Sequence, residues 1–464
     1  MEIALRWRDR LRADLFGSIL PFWAAHSEDG EHGGFFNNLD HDGAVFDTTK
    51  HVWLQGRQCY MYARIATEFT DAEFAALVAA NPAPQPRAGQ GPATPTPLTR
   101  AGLLRAAAAG VAFLLKHAVA PGGSEVYFAL RRDGAPASAQ RKPFSAAFLI
   151  LALGELHHAT GEAHYRAQAL AWLDKYLAWC AHAGGSGAAL GKPCMPGAPP
   201  LSPLNEPMIT LNLIMELSRK LPREEALLFY AADRDAAVAA VLSHADAGRR
   251  AVFEGVGPDG RPDLSTPAGR LLNPGHAIEA GWFLLDVAAL LGDDALKKRA
   301  LEVVEWAYEG GWDGPLVGGG VGAPAAEAAV AGALGQGTGA GSGGFIYFRD
   351  ALGFSPTQLE AHMKLWWPQA EAMVAFAMAW EATGEAVQLQ RFAGVAEWTY
   401  AHLVTDKEWY GYADRTGAVT HRVSFCAGSR VILCCCFFVV FCLLLTPLSS
   451  SHHFSSKSVQ GGAL

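Results

Sequence analysis

The chain has 464 residues, of which 50% are hydrophobic and 18% are charged, and its formal net charge is −8. That balance excludes an intrinsically disordered chain, which requires low hydrophobicity and high net charge. The acidic charge also argues against a nucleic-acid partner, because nucleic-acid-binding proteins present basic faces. The 13 Trp and 24 Phe suffice for one large core and for a site that stacks on a ring-shaped ligand.

The N-terminal segment predicts an amphipathic helix. Its apolar residues recur at helical spacing from Leu5 to Leu20, and charges interrupt the pattern. A secretory signal peptide has an uninterrupted apolar segment, so this one does not match. Five of the eight Cys crowd near the C-terminus and the other three are scattered, which is unlike a disulfide framework. We therefore expect a reducing, cytoplasmic location.

The middle of the chain predicts helix after helix, each with an apolar period of about 3.6 residues. The candidate helices are 3–26, 48–69, 98–118, 144–161, 164–182, 206–220, 224–245, 275–292, 295–310, 367–384 and 387–404. They form antiparallel pairs that repeat about every 40 residues, the scale of a helical repeat array. Short extended segments with Asp and Gly turn signals lie between them. This pattern predicts an all-α ring of helix pairs with short β-hairpins at one rim.

Two low-complexity segments interrupt the pattern, at residues 81–98 and 314–344. Both are predicted to be insertions in one domain over residues 1–424, because Gly and Pro tracts bury too little side chain to offset the entropy of ordering. Residues 425–464 form an atypical apolar, Cys-rich tail. A membrane anchor over 431–448 is the alternative location, but its 15 uninterrupted apolar residues are fewer than the roughly 17–25 of a spanning helix.

Polar constellations fall at the starts of alternate predicted helices. Trp53 and Arg57 are four residues apart and share a helix face. An arginine on an aromatic inner face binds an oxyanion through two donors, although a surface ion pair is the commoner use of such a residue. The turn sequence NPGH then places His276 in the first turn of a helix, where the helix dipole favours the neutral imidazole of a general base. Glu279 follows three residues later on the same face, where it is a candidate to orient the imidazole.

A further constellation joins Trp366 and Trp367 to Pro368, Gln369 and Glu371. Proline suits the first position of a helix, so Glu371 is expected in the first turn, on the side of Trp367. Two adjacent tryptophans form a rigid wall of the kind that stacks on sugars, and core packing is the alternative reading. Gln369 is a candidate for substrate binding beside them.

The last constellation is weaker. It places polar groups beside two helices that begin at a proline, and it comprises residues 141–145 and, later, 206–208. Phe144 and Ser145 are its candidates for substrate binding. In a ring of hairpins, the starts of alternate helices point to one end. The Arg, His, Glu and Trp side chains of the constellations are therefore expected to converge on one cleft. No His/Cys spacing indicates a structural zinc site, and we expect no metal.

These segments carry a resemblance to the N-acylglucosamine 2-epimerase family. The matching stretches run from about residue 10 to about residue 423 and include KHVWLQGRQ, RKPFSAAFLILALGEL, GKPCMPGAP, LNPGHAIEAGWFLL and MKLWWPQAEAMVAFAMAW. The resemblance implies an (α/α)6 barrel that interconverts N-acylglucosamine and N-acylmannosamine, with an amino sugar as its small-molecule partner. It implies no metal or redox cofactor, ATP as an activator in some members, and homodimers for many. By motif, Arg57, His276 and Glu371 match the functional residues of the family, and Trp366 and Trp367 line its sugar pocket.

The sequence departs from the family after position 423. The segment THRVSFCAGSRVILCCC stands where family members carry a second catalytic His and the start of the last helix. We therefore expect a chain of reduced activity without its closing helix. Three alternatives stay open: another aldose epimerase or ketose isomerase on the same fold, a glycoside hydrolase that uses Glu279 and Glu371, and a non-catalytic protein-binding relative.

Overall fold

The computed structural model describes residues 1–82, 95–182, 185–193, 197, 200–318, 341–405 and 408–420. Helices account for most of these residues. In chain order they are α1 (Glu2–Asp14), α2 (Leu20–His26), α3 (Val52–Glu68), α4 (Asp71–Ala80), α5 (Arg100–His117), α6 (Phe144–Thr160), α7 (Ala163–Cys180), α8 (Gly185–Ala189), α9 (Asn205–Ser218), α10 (Arg223–Leu228), α11 (Ala231–Ser243), α12 (Pro274–Leu291), α13 (Asp294–Gly311), α14 (Trp366–Thr383) and α15 (Ala386–His402). A π-helical turn over Leu15–Ile19 joins α1 to α2.

Helices occupy every range that was predicted to be helical, but the range 224–245 is divided and two helices, α4 and the five-residue α8, were not predicted. The prediction of one helix over 224–245 is wrong, because the chain breaks between α10 and α11 at Tyr230, whose φ is 44°. The Tyr230 hydroxyl donates to Asp174 Oδ1 at 2.5 Å, which anchors the break. Helix α4 was not predicted, although Thr70 and Glu73 form a capping box at its start.

The helices form two layers. Helices α3, α6, α9, α12 and α14 pack in series against one another. The outer helices α5, α7, α11, α13 and α15 each pack mainly against one of them. Four of the inner helices, α3, α6, α12 and α14, are buried at most of their positions, which is expected of helices that are apolar on nearly all sides. The predicted ring of helix pairs is thus confirmed for the described hairpins. The expected loss of the closing helix concerns residues after 420, which lie outside the described residues.

Short strands lie directly before several inner helices. They are β1 (Asn38–Leu39), β2 (Val45–Asp47), β3 (Lys50–His51), β4 (Tyr127–Leu130), β5 (Pro136–Ala139), β6 (Ser202–Pro203), β7 (Ala245–Asp246), β8 (Ala251–Val252), β9 (Gly255–Val256), β10 (Leu271–Leu272), β11 (Arg349–Asp350), β12 (Lys364–Leu365) and β13 (Tyr412–Ala413). All pair antiparallel, as β1–β2, β3–β4–β5, β6–β9, β7–β8, β10–β11 and β12–β13. Because β3, β6, β10 and β12 run into α3, α9, α12 and α14, these pairs fix the helix starts.

Most of the two predicted insertions, and the whole predicted tail over 425–464, lie outside the described residues. The candidate anchor over 431–448 belongs to that tail. Within the part of the chain that the structure describes, no helix is long and apolar enough to cross a membrane.

Candidate active site

The predicted Arg, His and Glu lie near the starts of three inner helices. Arg57 lies in the second turn of α3 and His276 in the first turn of α12. Glu371 lies in the second turn of α14, not in the first as predicted, because the helix begins at Trp366 and not at Pro368. Arg57 and Glu371 are each only 8% exposed. Local sequence explains the start of α12, where Asn273 Oδ1 accepts from the His276 backbone N–H at 3.2 Å and Pro274 occupies the first turn.

The guanidinium of Arg57 lies on an aromatic surface, as the sequence predicts. Its Cζ is 4.2 Å from the centre of the Phe148 ring and 5.4 Å from that of Trp53. Glycine at position 56 allows α3 to approach α6 this closely, because a Cβ there would lie 2.8 Å from the backbone of Phe148. Helices α3 and α6 therefore approach closely enough for Phe148 to face the cation.

The side chain of His276 is oriented by Glu254, which lies between β8 and β9. Both carboxylate oxygens of Glu254 are 3.0 Å from His276 Nδ1. The interpretation that Glu279 orients His276 is therefore wrong, because a residue from a separate extended segment fills that place. A carboxylate only accepts hydrogen bonds, so in the neutral imidazole Nδ1 carries the proton and Nε2 carries the lone pair.

Trp367 packs beside His276, with ring centres 5.3 Å apart, and Tyr347 meets its ring at 6.0 Å and 86°. Gly275 allows this contact, since a Cβ there would lie 2.4 Å from the Trp367 indole. Trp367 keeps part of its surface exposed, which suits a sugar-stacking wall. Trp366 does not, because it is 4% exposed and belongs to the hydrophobic core. Its predicted place in the sugar pocket is corrected to core packing.

The carboxyl groups of Glu371 and Glu279 interact inside the ring. Burial raises the pKa of Glu371 to about 7, and the Trp282 hydrogen bond, Arg57 and His276 oppose that rise. Burial and the charge of Glu371 raise the pKa of Glu279, which Arg57 partly offsets. The two carboxyls therefore hold at least one proton near neutral pH. These effects indicate that Arg57, His276 and both carboxyls lie within electrostatic range of one another.

Three other predicted binding residues have different surroundings. Gln369 is fully buried, and its amide accepts from the Phe345 N–H at 2.8 Å and donates to the carbonyls of Phe345 and Leu365 at 3.1 Å and 3.0 Å. Its predicted contact with substrate is corrected to a bridge between backbone segments. Ser145 is 2% exposed, which leaves little of it accessible to a ligand. Phe144 is partly exposed, beside Lys142.

Four neighbours of the site were not predicted as functional: Phe148, Glu254, Trp282 and Tyr347. Phe148 lies one helical turn after Phe144, and Trp282 lies three residues after Glu279, so helical spacing offered a signal for both. Glu254 and Tyr347 come from extended segments whose partners depend on strand pairing. Among the described residues, no cluster of His, Cys, Asp and Glu is arranged to hold a metal ion.

The comparisons with known protein families, sequences and structures agree with one another. The family model of N-acylglucosamine 2-epimerase (GlcNAc 2-epimerase) matches residues 93–320 and 323–432. The N-acylglucosamine 2-epimerases of Bos taurus and Homo sapiens are 37% and 36% identical to the chain, covering 90% of it and 86% and 85% of their own lengths. The structure of cellobiose 2-epimerase from Bacillus thermoamylovorans B4167 aligns with a TM-score of 0.68 at 16% identity, covering 94% of this chain and 99% of that one. The fold is thus an (α/α)6 barrel.

Proposed function

Because the chain belongs to the N-acylglucosamine 2-epimerase family, it is a carbohydrate epimerase, and we propose that it interconverts N-acylglucosamine and N-acylmannosamine. One observation is the main support for placing the reaction at this site. The Glu254 carboxylate lies 3.0 Å from His276 Nδ1, which leaves the lone pair of Nε2 on the opposite edge of the ring as a base. Trp367 lies against the same imidazole, where it supports one face of a sugar.

The reaction inverts C2 of the sugar, so the C2 proton must leave and return on the other face. In the open-chain aldehyde this proton is acidified by the neighbouring carbonyl, whose oxygen becomes an enolate when the proton leaves. We assign proton removal to His276 Nε2. As the imidazole becomes a cation, the carboxylate of Glu254 stabilises it and holds the ring in place.

Arg57 is our candidate for stabilising the enolate oxygen. Its guanidinium is held on the Phe148 and Trp53 rings, so its charge and donors are oriented before the reaction begins. Glu371, with a pKa of about 7, is suited to exchange protons with the ring oxygen when the pyranose opens. Glu279 and Glu371 disfavour each other's ionisation. We therefore assign Glu279 an indirect role, through its effect on the protonation of Glu371.

Return of a proton to the opposite face of C2 requires a second donor. The resemblance places a second His in the segment that THRVSFCAGSRVILCCC replaces here. A general acid or base typically contributes about 10²–10⁴-fold to a rate. We therefore propose that this chain is a slow epimerase, and that the Glu279–Glu371 pair supplies the remaining proton donor.

Deuterium incorporation at C2 tests the proposal. The purified chain is mixed with N-acetylmannosamine in D₂O, with and without ATP, and C2 deuterium is followed by NMR beside a His276→Ala variant. We expect slow exchange that the variant loses. Exchange no faster than in the variant would contradict an epimerase site at His276. A turnover near the roughly 10 s⁻¹ of a median enzyme would contradict the loss of a proton-transfer group.

Repeating the experiment with mannose in place of N-acetylmannosamine separates a ketose isomerase from an epimerase. An isomerase returns the proton to C1 and yields a ketose, so its label appears at C1. A hydrolase that uses Glu279 and Glu371 would instead release reducing sugar from a disaccharide. Label confined to C2, with no sugar released, supports the epimerase.

A further inference from the structure

Lys50 lies in β3, two residues before α3, and is fully buried with its charge paired. Its Nζ donates to Asp29 Oδ2 at 3.0 Å, to the Gly33 carbonyl at 2.5 Å and to the Arg132 carbonyl at 2.7 Å. The guanidinium of Arg132 in turn donates to the carboxylate of Asp29 at 3.0 Å and 3.2 Å. We call these four residues the first clasp. Through one ammonium group, it connects the loop over residues 29–33, the chain just after β4 and the segment just before α3.

The start of α14 carries the same arrangement around Lys364, also fully buried. Its Nζ lies 3.0 Å from Asp313 Oδ2 and donates to the carbonyls of Gly343 and Arg415, the latter at 2.7 Å. Arg415 donates to Asp313 at 3.2 Å and 3.1 Å. These four residues form the second clasp. Every contact of the first clasp thus has its counterpart, although the two lysines are 314 positions apart.

The equivalence continues into the helices. Lys50 pairs with Leu130 in β3–β4, as Lys364 pairs with Ala413 in β12–β13. Gln55 then bridges the N–H and carbonyl of Phe35, as Gln369 bridges those of Phe345.

Two residues after each glutamine comes a site residue. Arg57 and Glu371 both stand seven positions after their lysine, so the two opposite charges of the site occupy equivalent places on equivalent helices.

Neither helix has a side-chain cap. The residues before α3 and α14, His51 and Leu365, make no capping hydrogen bond from their side chains. Helix starts usually depend on such caps to fix the direction of the first turn. Here the lysine two residues before each helix start is the group that connects it to the neighbouring segments.

The second clasp also closes a much longer loop. Asp29 and Gly33 are four positions apart, whereas Asp313 and Gly343 are thirty positions apart. Both pairs nevertheless make the same backbone bonds, with the glycine N–H donating to the aspartate carbonyl at 2.8 Å. The second clasp therefore brings the two ends of the insertion over 314–344 together, with the same backbone hydrogen bond that closes the short turn from Asp29 to Gly33.

We propose that Lys50 and Lys364 are equivalent positioning residues, which fix the starts of α3 and α14 so that Arg57 and Glu371 face the same space. The inference rests on the proposed function, because Arg57 and Glu371 matter only if the site is catalytic. The proposal also implies that the long insertion before α14 leaves the site undisturbed, because Lys364 contacts Asp313 and Gly343 at the two ends of that insertion. A displacement of about 1 Å at a reacting group costs on the order of a hundredfold in rate.

The test removes the second clasp without leaving a buried charge, through the double variant Asp313→Asn/Lys364→Met. The matched control is Arg391→Met/Glu305→Gln, which removes an ion pair between the outer helices α15 and α13. C2 exchange of N-acetylmannosamine gives kcat and KM, and hydrogen exchange by mass spectrometry reports on residues 52–58 and 366–372. We expect kcat to fall at least about tenfold below the control, with protection lost only over 366–372.

The outcomes separate the inference from the proposed function. A clasp variant with kcat within about twofold of the control, at a temperature where both are folded, would overturn the positioning role. Equal loss of protection in both variants would overturn it as well. If the unmodified chain exchanges no more than His276→Ala, the epimerase proposal fails. Hydrogen exchange over 366–372 then still decides whether the clasp fixes the start of α14.

Discussion

Substitution of Trp282 by Phe tests whether Glu371 titrates in the site. The Trp282 indole N–H donates to Glu371 Oε2 at 2.8 Å, and this bond stabilises the ionised carboxylate. Phenylalanine keeps an aromatic ring there and removes the donor. A hydrogen bond to a charged group is worth about 1.5–3 kcal/mol, and one pKa unit corresponds to about 1.4 kcal/mol. The pKa of Glu371 should therefore rise from about 7 by roughly one to two units.

The rate of C2 exchange as a function of pH reports this pKa. We expect the unmodified chain to lose activity as the pH rises through about 7, and the variant to keep it for one to two pH units more. Trp306→Phe, on the outer helix α13, serves as the matched control. Binding of N-acetylmannosamine over the same range gives a second readout where turnover is slow.

An unchanged midpoint in Trp282→Phe would refute the assignment, because the hydrogen bond would then have no effect on a group that controls the reaction. The same shift in Trp306→Phe would also refute it, since that indole lies outside the site. A shift to lower pH would contradict the sign of the argument, in which the lost donor had favoured the carboxylate.

Three further predictions follow from other contacts. Glu254→Gln should lower kcat by about tenfold to a hundredfold with little change in KM, because the charge that stabilises the His276 imidazolium is lost; an unchanged kcat would contradict that role. Asp286→Asn should stabilise the fold increasingly between about pH 4 and pH 7, by up to about 4 kcal/mol, as measured by urea unfolding. Burial raises the Asp286 pKa to about 7, so the folded chain binds more protons than the unfolded chain and loses stability as the pH rises; a gain independent of pH would contradict this. Replacement of residues 319–340 by a short Gly-Ser linker should leave kcat within about twofold, because the second clasp already joins the ends of the insertion, and a tenfold loss would argue against that closure.

Helical periodicity predicted most of the fold, because the pattern of apolar and polar positions can be recognised within each helix separately. An inner helix such as α6 is apolar on nearly every side, and that property is visible without knowledge of its neighbours. The break at Tyr230 was not predictable in this way, because apolar spacing continues through it. It depends on a hydrogen bond to Asp174, a residue on another helix.

The site was predictable only where one segment holds both partners. Asn273 caps His276 from three residues away, and the sequence shows both. Glu254 reaches the same imidazole from another segment, where Glu254 donates its N–H to Leu271 and accepts from Leu204 through pairings that the sequence does not specify. Trp366 and Trp367 show a related limit. Adjacent residues on a helix point in different directions, so one of them lies in the core and the other beside His276.

The charges of the site explain why its activity should depend on a protonated carboxyl. An enolate places negative charge beside Arg57, and the benefit depends on how many other negative charges share that space. With Glu279 and Glu371 both ionised, the guanidinium would already be neutralised and the enolate would be repelled. Burial and their mutual repulsion prevent this by keeping at least one proton on the pair near neutral pH. The carboxyl proposed to exchange protons with the sugar therefore also limits the negative charge beside Arg57. Ionisation of Glu371 removes its proton and adds one negative charge there, so both effects should lower the rate as the pH rises through about 7.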